Sequence, residues 1–315
     1  MRVFEADELN ALLAGPGLVE ALREAFRAGA SAPTRHHHPI PVPGGADATL
    51  FLMPAWQAGG HAGVKIVGVF PGNAERGLPS VHGSYVLLDA TTGAPLAVMD
   101  GTTLTRLRTG AASALAASYL ARAESATLVM VGTGALAPHL VAAHASVRPI
   151  REVRVWGRRR EKAEALAAQL AAPGRRVCAV ADLEAAVRTA DVVSCATLSR
   201  EPLIRGEWLR PGTHVDLVGG FTPEMREADD EAVRRSRVFV DTRAGALAEA
   251  GDLIQPLRRG AWREDDLAGD LEQLTRGLRP GRRSADEITL FKSVGTALED
   301  LAAASFALGR ALKLD

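Results

Sequence analysis

Thr127-Leu-Val-Met-Val-Gly132-Thr-Gly134-Ala-Leu-Ala137 runs an apolar stretch into two glycines and then into helix-favouring residues. The run reads as a buried strand that turns through the glycines into a helix. About twenty residues later Val153-Arg-Val-Trp156 forms a second strand, closed by Gly157 and followed by Arg158, Arg159 and Arg160. A strand, a glycine turn and a helix N-terminus make a phosphate cradle, because unpaired backbone N–H groups and the helix dipole both favour an anion there. The pattern therefore points to a dinucleotide, with Gly132 and Gly134 in the cradle. An acid at the end of the second strand suits the ribose of NAD, whereas arginines suit the extra phosphate of NADP. Arg158 and Arg159 favour NADPH over NADH; a solvated charged face at a helix start is the other reading of them.

The flanking pattern extends this unit. From 126 onward strands predicted at 126–131, 152–156, 176–180, 191–195, 213–218 and 237–241 alternate with helices at 135–146, 161–171 and 229–235, which predicts an α/β doubly wound parallel sheet. Before it, helical spacing covers 17–28, a Pro- and His-rich loop covers 33–45, and β-like runs fall at 49–53, 64–69, 85–89 and 96–100. The turn sequence Asp89-Ala-Thr-Thr-Gly93-Ala-Pro95 predicts an antiparallel hairpin between the last two. An alanine-rich helix from Leu104 to Ala121 leads into the dinucleotide unit, and apolar spacing over Lys292–Leu312 predicts a long C-terminal helix.

Composition sets the bounds. The 315 residues are 47% hydrophobic, enough for two domains with real cores. Lys+Arg and Asp+Glu balance at 37 each, and aromatics are only 4%, which disfavours a nucleic-acid partner. Every apolar run falls short of the roughly 20 residues that span a bilayer, and the N-terminus lacks a signal-peptide core, so a cytoplasmic protein without a membrane partner is expected. Cys178 and Cys195 lie in apolar runs and read as reduced core residues. His36, His37 and His38 lack partner ligands at metal spacing and are expected to be solvated; no metal is predicted. His139 and His144 are expected on a helix surface. Asp216, inside an apolar strand, reads either as a buried functional group or as a strand residue facing a helix cap.

Several motifs recur in a fixed order: Gly63-Val-Lys65, Pro71-Gly-Asn73, Gly77-Leu-Pro79, Thr92-Gly93-x-Pro95, Met99-Asp-Gly101, Arg108-Thr109-x-Ala-Ala-Ser113 and Gly132-Thr-Gly134-Ala135. Pro211-Gly-Thr-His214, Glu249-Ala-Gly-Asp252 and Phe291-Lys-Ser-Val-Gly295 follow. Together they resemble the ornithine cyclodeaminase/mu-crystallin family from about residue 33 to the C-terminus. The resemblance implies a homodimer whose smaller α+β substrate and dimerisation domain combines 1–120 with 290–315, around a Rossmann domain at 121–289. It implies a small amino or imino acid handled by a nicotinamide cofactor. By the same resemblance Arg35, Lys65 and Arg108 meet the substrate, and Val294 lies beside it. Ser80, Thr109, Ala135, Leu136, Thr197 and Ser293 fall where the family touches cofactor; Arg108 and the strand end Val218-Gly219 are placed with them.

Residue chemistry agrees with part of this. Arginine forks and a compact lysine suit a carboxylate. Lys65 interrupts Val64-Lys-Ile-Val-Gly-Val, a strand of buried character, and is the candidate catalytic residue; pointing outward on an alternating strand is its structural alternative. The chain also departs from the cyclodeaminase pattern. Phe221 follows Gly219-Gly220 where cyclodeaminases carry their catalytic aspartate, and Leu52 precedes Met53-Pro54 where they carry a glutamate. A phenyl ring cannot move a proton. Phe221 is expected to line a ring pocket, and the run from Phe221 to Asp229 resembles the bacterial ketimine reductases. The expected reaction is reduction of a small cyclic imino acid, Δ1-pyrroline-2-carboxylate or Δ1-piperideine-2-carboxylate. Ornithine cyclodeamination, alanine-dehydrogenase-like oxidation and non-catalytic NADP(H)-dependent small-molecule binding are the alternatives.

Overall fold

A computed structural model describes residues 1–314. The first part of the chain forms β1 (Arg2–Phe4), α1 (Ala6–Leu13), α2 (Gly17–Ala28), β2 (His36–Ile40), β3 (Ala48–Trp56), β4 (His61–Val69), β5 (Val81–Asp89), β6 (Pro95–Asp100) and α3 (Gly101–Leu120). The central part forms β7 (Thr127–Val131), α4 (Ala137–Val147), β8 (Glu152–Trp156), α5 (Arg160–Gln169), β9 (Arg176–Ala179), α6 (Leu183–Arg188), β10 (Val192–Cys195) and β11 (His214–Leu217). It continues through α7 (Asp230–Arg235), β12 (Arg237–Val240), α8 (Arg243–Glu249), α9 (Gly251–Arg258), β13 (Leu267–Asp270), α10 (Leu271–Thr275) and β14 (Thr289–Lys292). The last helix is α11 (Ala297–Ala311). The chain divides into two compact units: Met1–Arg108 joined by the residues from Thr296 onward, and Thr109–Gly295.

In the first unit six strands form one sheet in the order β1-β6-β5-β4-β3-β2. Strands β2 to β6 are antiparallel neighbours, including the hairpin of β5 and β6, and β1 adds parallel to β6. Period-two alternation sends Met53, Lys65, Tyr85 and Met99 to a buried row, one residue from each strand in register. Helix α11 packs against β3, β4 and β5, and α1 and α2 pack against α11. Leucines of α1 and α2 (Leu9, Leu12, Leu13, Leu18, Leu22) close that core.

The second unit carries an eight-stranded, wholly parallel sheet in the order β13-β12-β14-β11-β10-β7-β8-β9. Strand order reverses between β7 and β10, the point where open α/β sheets bind ligands at their carboxyl ends. Two apolar clusters lie on this sheet, one including Leu183 and Val187 of α6 and Val233 of α7, the other Leu140 of α4 and Leu166 of α5. The architecture is α/β, a Rossmann-like doubly wound sheet accompanied by an α+β unit.

Three sequence expectations are corrected. Residues 36–40 are a strand within the expected loop; β2 is an edge strand whose His36, His37, His38 and Pro39 are exposed, so no apolar alternation marked it. Lys292 closes β14, a central strand between β11 and β12, and the final helix starts only at Ala297 behind its Thr296 cap. His144 is fully buried, with Nε2 3.0 Å from Asp216 Oδ2. Asp216 is itself buried and accepts from Ser194 Oγ at 2.7 Å. Burial raises the Asp216 carboxyl, but the bonds from His144 and Ser194 outweigh it and hold it below the usual range. No helix among the described residues is long and apolar enough to cross a membrane.

Gly63 is where β4 tolerates least change. A Cβ there would meet the oxygen of fully buried Tyr85 at 2.3 Å. Gly63→Ala is expected to destabilise the protein by about 1–3 kcal/mol, read as a lowered urea midpoint with an unchanged m-value.

Candidate active site

The buried row of the first unit delivers Lys65 into a charged cluster. Lys65 is 2% exposed, and its Nζ lies 2.9 Å from Oδ1 and 2.8 Å from Oδ2 of Asp300 in the first turn of α11. Arg108, buried near the middle of α3, donates from Nε to the same Asp300 Oδ1 at 3.0 Å and from Nη1 to Glu299 Oε2 at 2.6 Å. Both carboxylates are fully buried. Burial lowers the Lys65 ammonium to about 8; Asp300 opposes the fall, while Arg108 and Arg35 add to it. Lys65 thus titrates close to neutrality and can hold or release a proton.

Lys65 and Arg108 are already neutralised by Asp300 and Glu299, two residues that sequence reasoning missed. Acidic residues in the first turn of a helix are ordinary partners of the helix dipole, so nothing in the sequence marked them as buried. Arg108 uses Nε and Nη1 for these pairs, and a guanidinium has five donors in all. Arg35 is half-buried just before β2, close enough to act on Lys65 electrostatically. Ser80 is half-buried at the entry to β5, its carbonyl accepting from Phe70 N.

In the second unit Gly132 adopts φ +116°, and a Cβ on it would meet Ala196 O at 2.6 Å and Thr197 Cγ2 at 3.3 Å. The loops after β7 and β10 therefore touch at the switch point. A Cβ on Gly134 would meet nothing within 4 Å, so open space lies over this glycine. The chain from 132 to 136 is an open turn, and α4 begins at Ala137 with no side-chain cap from Leu136. The Ala137 amide donates to Gly134 O and Pro138 has no N–H, so it is the amides of the 133–136 turn, beside the open space over Gly134, that fit the phosphates of a dinucleotide. Thr109 is buried in α3. At the end of β8, Arg158 and Arg159 are exposed behind Gly157, with no acidic residue at that strand end.

The ends of the central strands carry the remaining candidates. Val218 donates its N–H to Cys195 O and is buried. Ser293 Oγ and the amides of Val294 and Gly295 all bond Asp241 Oδ2, at 3.2, 2.8 and 2.6 Å. Phe221 is 43% exposed, a large apolar ring outside the core. Beneath its loop lie three fully buried ionisable side chains that sequence reasoning also missed, Glu227, Asp252 and Lys292.

Residues 5–314 match the family model described as the ornithine cyclodeaminase/mu-crystallin family. The chain belongs to that family. A Δ1-pyrroline-2-carboxylate reductase of Paracoccus denitrificans is 43% identical over 284 residues, spanning 90% of each chain. The solved Δ1-pyrroline-2-carboxylate reductase of Thermococcus litoralis, in complex with NADH and L-proline, superposes with a TM-score of 0.92 at 35% identity, covering 100% of this chain and 98% of that one. An archaeal alanine dehydrogenase dimer with bound NAD follows at a TM-score of 0.90 and 32% identity, covering 100% and 97%.

Asp300 is expected to hold the Lys65 proton. Followed by NMR of 13C-labelled lysine, Lys65 should titrate near pH 8, and Asp300→Asn should lower that midpoint by about one unit or more, since both its charge and its hydrogen bond favour the ammonium. An unmoved midpoint would show that Asp300 does not govern Lys65.

Proposed function

We propose that this protein is an NAD(P)H-dependent imine reductase that converts Δ1-pyrroline-2-carboxylate to L-proline and Δ1-piperideine-2-carboxylate to L-pipecolate. The observation that carries the reading is Phe221. It stands where cyclodeaminases hold a catalytic carboxylate, in a chain similar over most of its length to reductases of the five-membered ketimine. Without that carboxylate, expulsion of nitrogen from an amino acid lacks its base, whereas reduction of an existing C=N bond needs only a hydride and a proton.

Residues of the first unit would hold the substrate. Arg35 and the remaining donors of Arg108 fit its carboxylate, since guanidinium forks match carboxylate geometry. Lys65, at about 8, carries a proton through neutral pH and would pass it to the ring nitrogen as C2 is reduced. Asp300 steers that ammonium and restores its charge preference. In the second unit Gly132, Gly134, Ala135 and Leu136 would cradle the pyrophosphate, and Thr197, Val218, Gly219 and Ser293 border the same strand ends. Ser80, Arg108 and Thr109 join the cofactor by family position, and Phe221 and Val294 would bound the substrate ring. A bound reduced nicotinamide supplies the hydride.

NADPH is the proposed cofactor, with NADH also admissible. The support is the exposed Arg158–Arg159 pair and the lack of an acid at the end of β8. We also propose a homodimer built on the open face of the first sheet. Opposite the buried row, Pro54, Val64, Val86 and Val98 are half-buried in register, and Trp56 and Ile66 are 43% and 37% exposed. An apolar sheet face of this kind is the usual mark of an interface.

Two measurements test these assignments. Absorbance at 340 nm should fall when NADPH is mixed with either cyclic ketimine, and Lys65→Ala should abolish turnover with cofactor affinity largely intact. Ammonia released from ornithine with NAD, and no ketimine turnover, would overturn the reading. Arg158→Ala should raise the Kd for NADPH by about tenfold or more, the loss of one charge-assisted bond, and leave NADH little changed. Equal losses for both would remove Arg158 from 2′-phosphate recognition.

A further inference from the structure

The second unit hides three ionisable side chains, all fully buried, beneath the loops expected to meet the cofactor. Glu227 Oε1 accepts from the backbone N of Thr197 at 2.7 Å and from its Oγ1 at 2.8 Å. Lys292, the last residue of β14, donates to Gly219 O and pairs with Asp252 Oδ2 at 3.1 Å. Asp252, near the start of α9, accepts at Oδ1 from Glu227 N at 2.7 Å and Ala228 N at 3.0 Å. One cluster thus ties together the loops that leave β10, β11 and β14.

The neighbouring glycines are dictated by it. A Cβ on Gly219 would fall 2.1 Å from Thr197 O and 2.5 Å from Glu227 Oε1, and one on Gly220, at φ +60°, would fall 2.5 Å from Asp252 Oδ2. Thr197 in turn packs against Gly132 of the phosphate turn. Fixing Thr197 therefore fixes the floor on which an anion would rest.

We propose that Glu227 is a positioning residue for the cofactor: its ionised carboxylate, braced by the Asp252–Lys292 pair, holds the Thr197 loop in the dinucleotide-binding arrangement, and its protonation loosens that loop. The proposal rests on the reading of this unit as a dinucleotide site. Glu227 Oε2 has no hydrogen-bond partner, which leaves an oxygen able to take the proton. Burial lifts the carboxyl to about 7; Lys292 opposes the rise, and Asp252 adds to it. Cys195 of β10 also faces the cluster, its own thiol pushed well up by burial and then by Glu227 and Asp252, so it stays neutral here. The sign follows. Above about pH 7 the bonds to Thr197 are charge-assisted and roughly twice as strong as neutral ones; below it they weaken.

The test is the Kd of NADH, by quenching of protein fluorescence from pH 6 to pH 8.5; NADH lacks the 2′-phosphate whose own titration would interfere. Binding should weaken by about fivefold on acidification, with a midpoint near 7. Glu227→Gln, fixed in the neutral form, should bind about as weakly at every pH while kcat at saturating NADH changes little. A pH-independent Kd in the unaltered protein would overturn the proposal without any variant. So would a pH dependence that persists in E227Q. Failure of NADH and NADPH to bind at any pH would instead overturn the dinucleotide reading on which it stands.

Discussion

The ion pairs between α11 and the rest of the first unit are the constraint on which its candidate chemistry depends. Lys65, Arg108, Glu299 and Asp300 all lie almost out of water, and a buried charge without a partner costs several kcal/mol. Strand β4 can carry a lysine on its inward face only because the C-terminal helix returns with a carboxylate to meet it. Residues 235 positions apart in the chain thus share one proton environment. The same burial that makes the cluster costly brings the Lys65 ammonium down to about 8, a range in which it can donate and recover a proton.

The second unit solves a different problem with glycine. Parallel strands whose carboxyl ends gather at one edge leave little room between loops, and Gly132, Gly219 and Gly220 sit where any Cβ would strike a neighbouring carbonyl or carboxylate. Gly134 differs, because the space over it is open. Tight packing beneath and vacancy above is the geometry that lets backbone N–H groups approach an anion closely. Polar groups serve as the fastening: Asp241 gathers the amides after β14, and Glu227 gathers Thr197 after β10.

How much of this was legible in the sequence differs between the units for physical reasons. The strand-glycine-helix run at 127–137 and the alternation after it were readable, since buried parallel strands are apolar throughout and glycine turns punctuate them. Strand β2 was not, because all but one of its side chains face solvent and no period marks it. Strand β14 was hidden by Lys292, which is inside only because Asp252 pairs with it. His144 and Asp216 each looked like surface or ambiguous residues alone; their burial follows from their contact. The acidic members of the first cluster gave no signal for the same reason. Apolar burial is written locally in periodicity, whereas paired charges are buried by partners that the chain supplies from far away.

Replacing a carboxylate by a phenyl ring at the end of β11 removes a proton-transfer group from the rim, yet acidic side chains are not scarce nearby. Glu227 and Asp252 lie just beneath Gly219 and Gly220, but they are sealed from solvent and committed to Thr197, Lys292 and backbone amides. They can set geometry and charge without touching a substrate. In the proposed reaction the proton is assigned to Lys65, whose titration is governed by burial and by Asp300 of its own unit. A reduction that starts from an existing imine asks for one proton and one hydride, and a single lysine poised near neutrality meets the first demand. Deamination asks in addition for a base to activate water and for an acid to release ammonia. On the proposed reading, Phe221 at this position, with Glu227 and Asp252 buried beneath it, fits the smaller of the two demands.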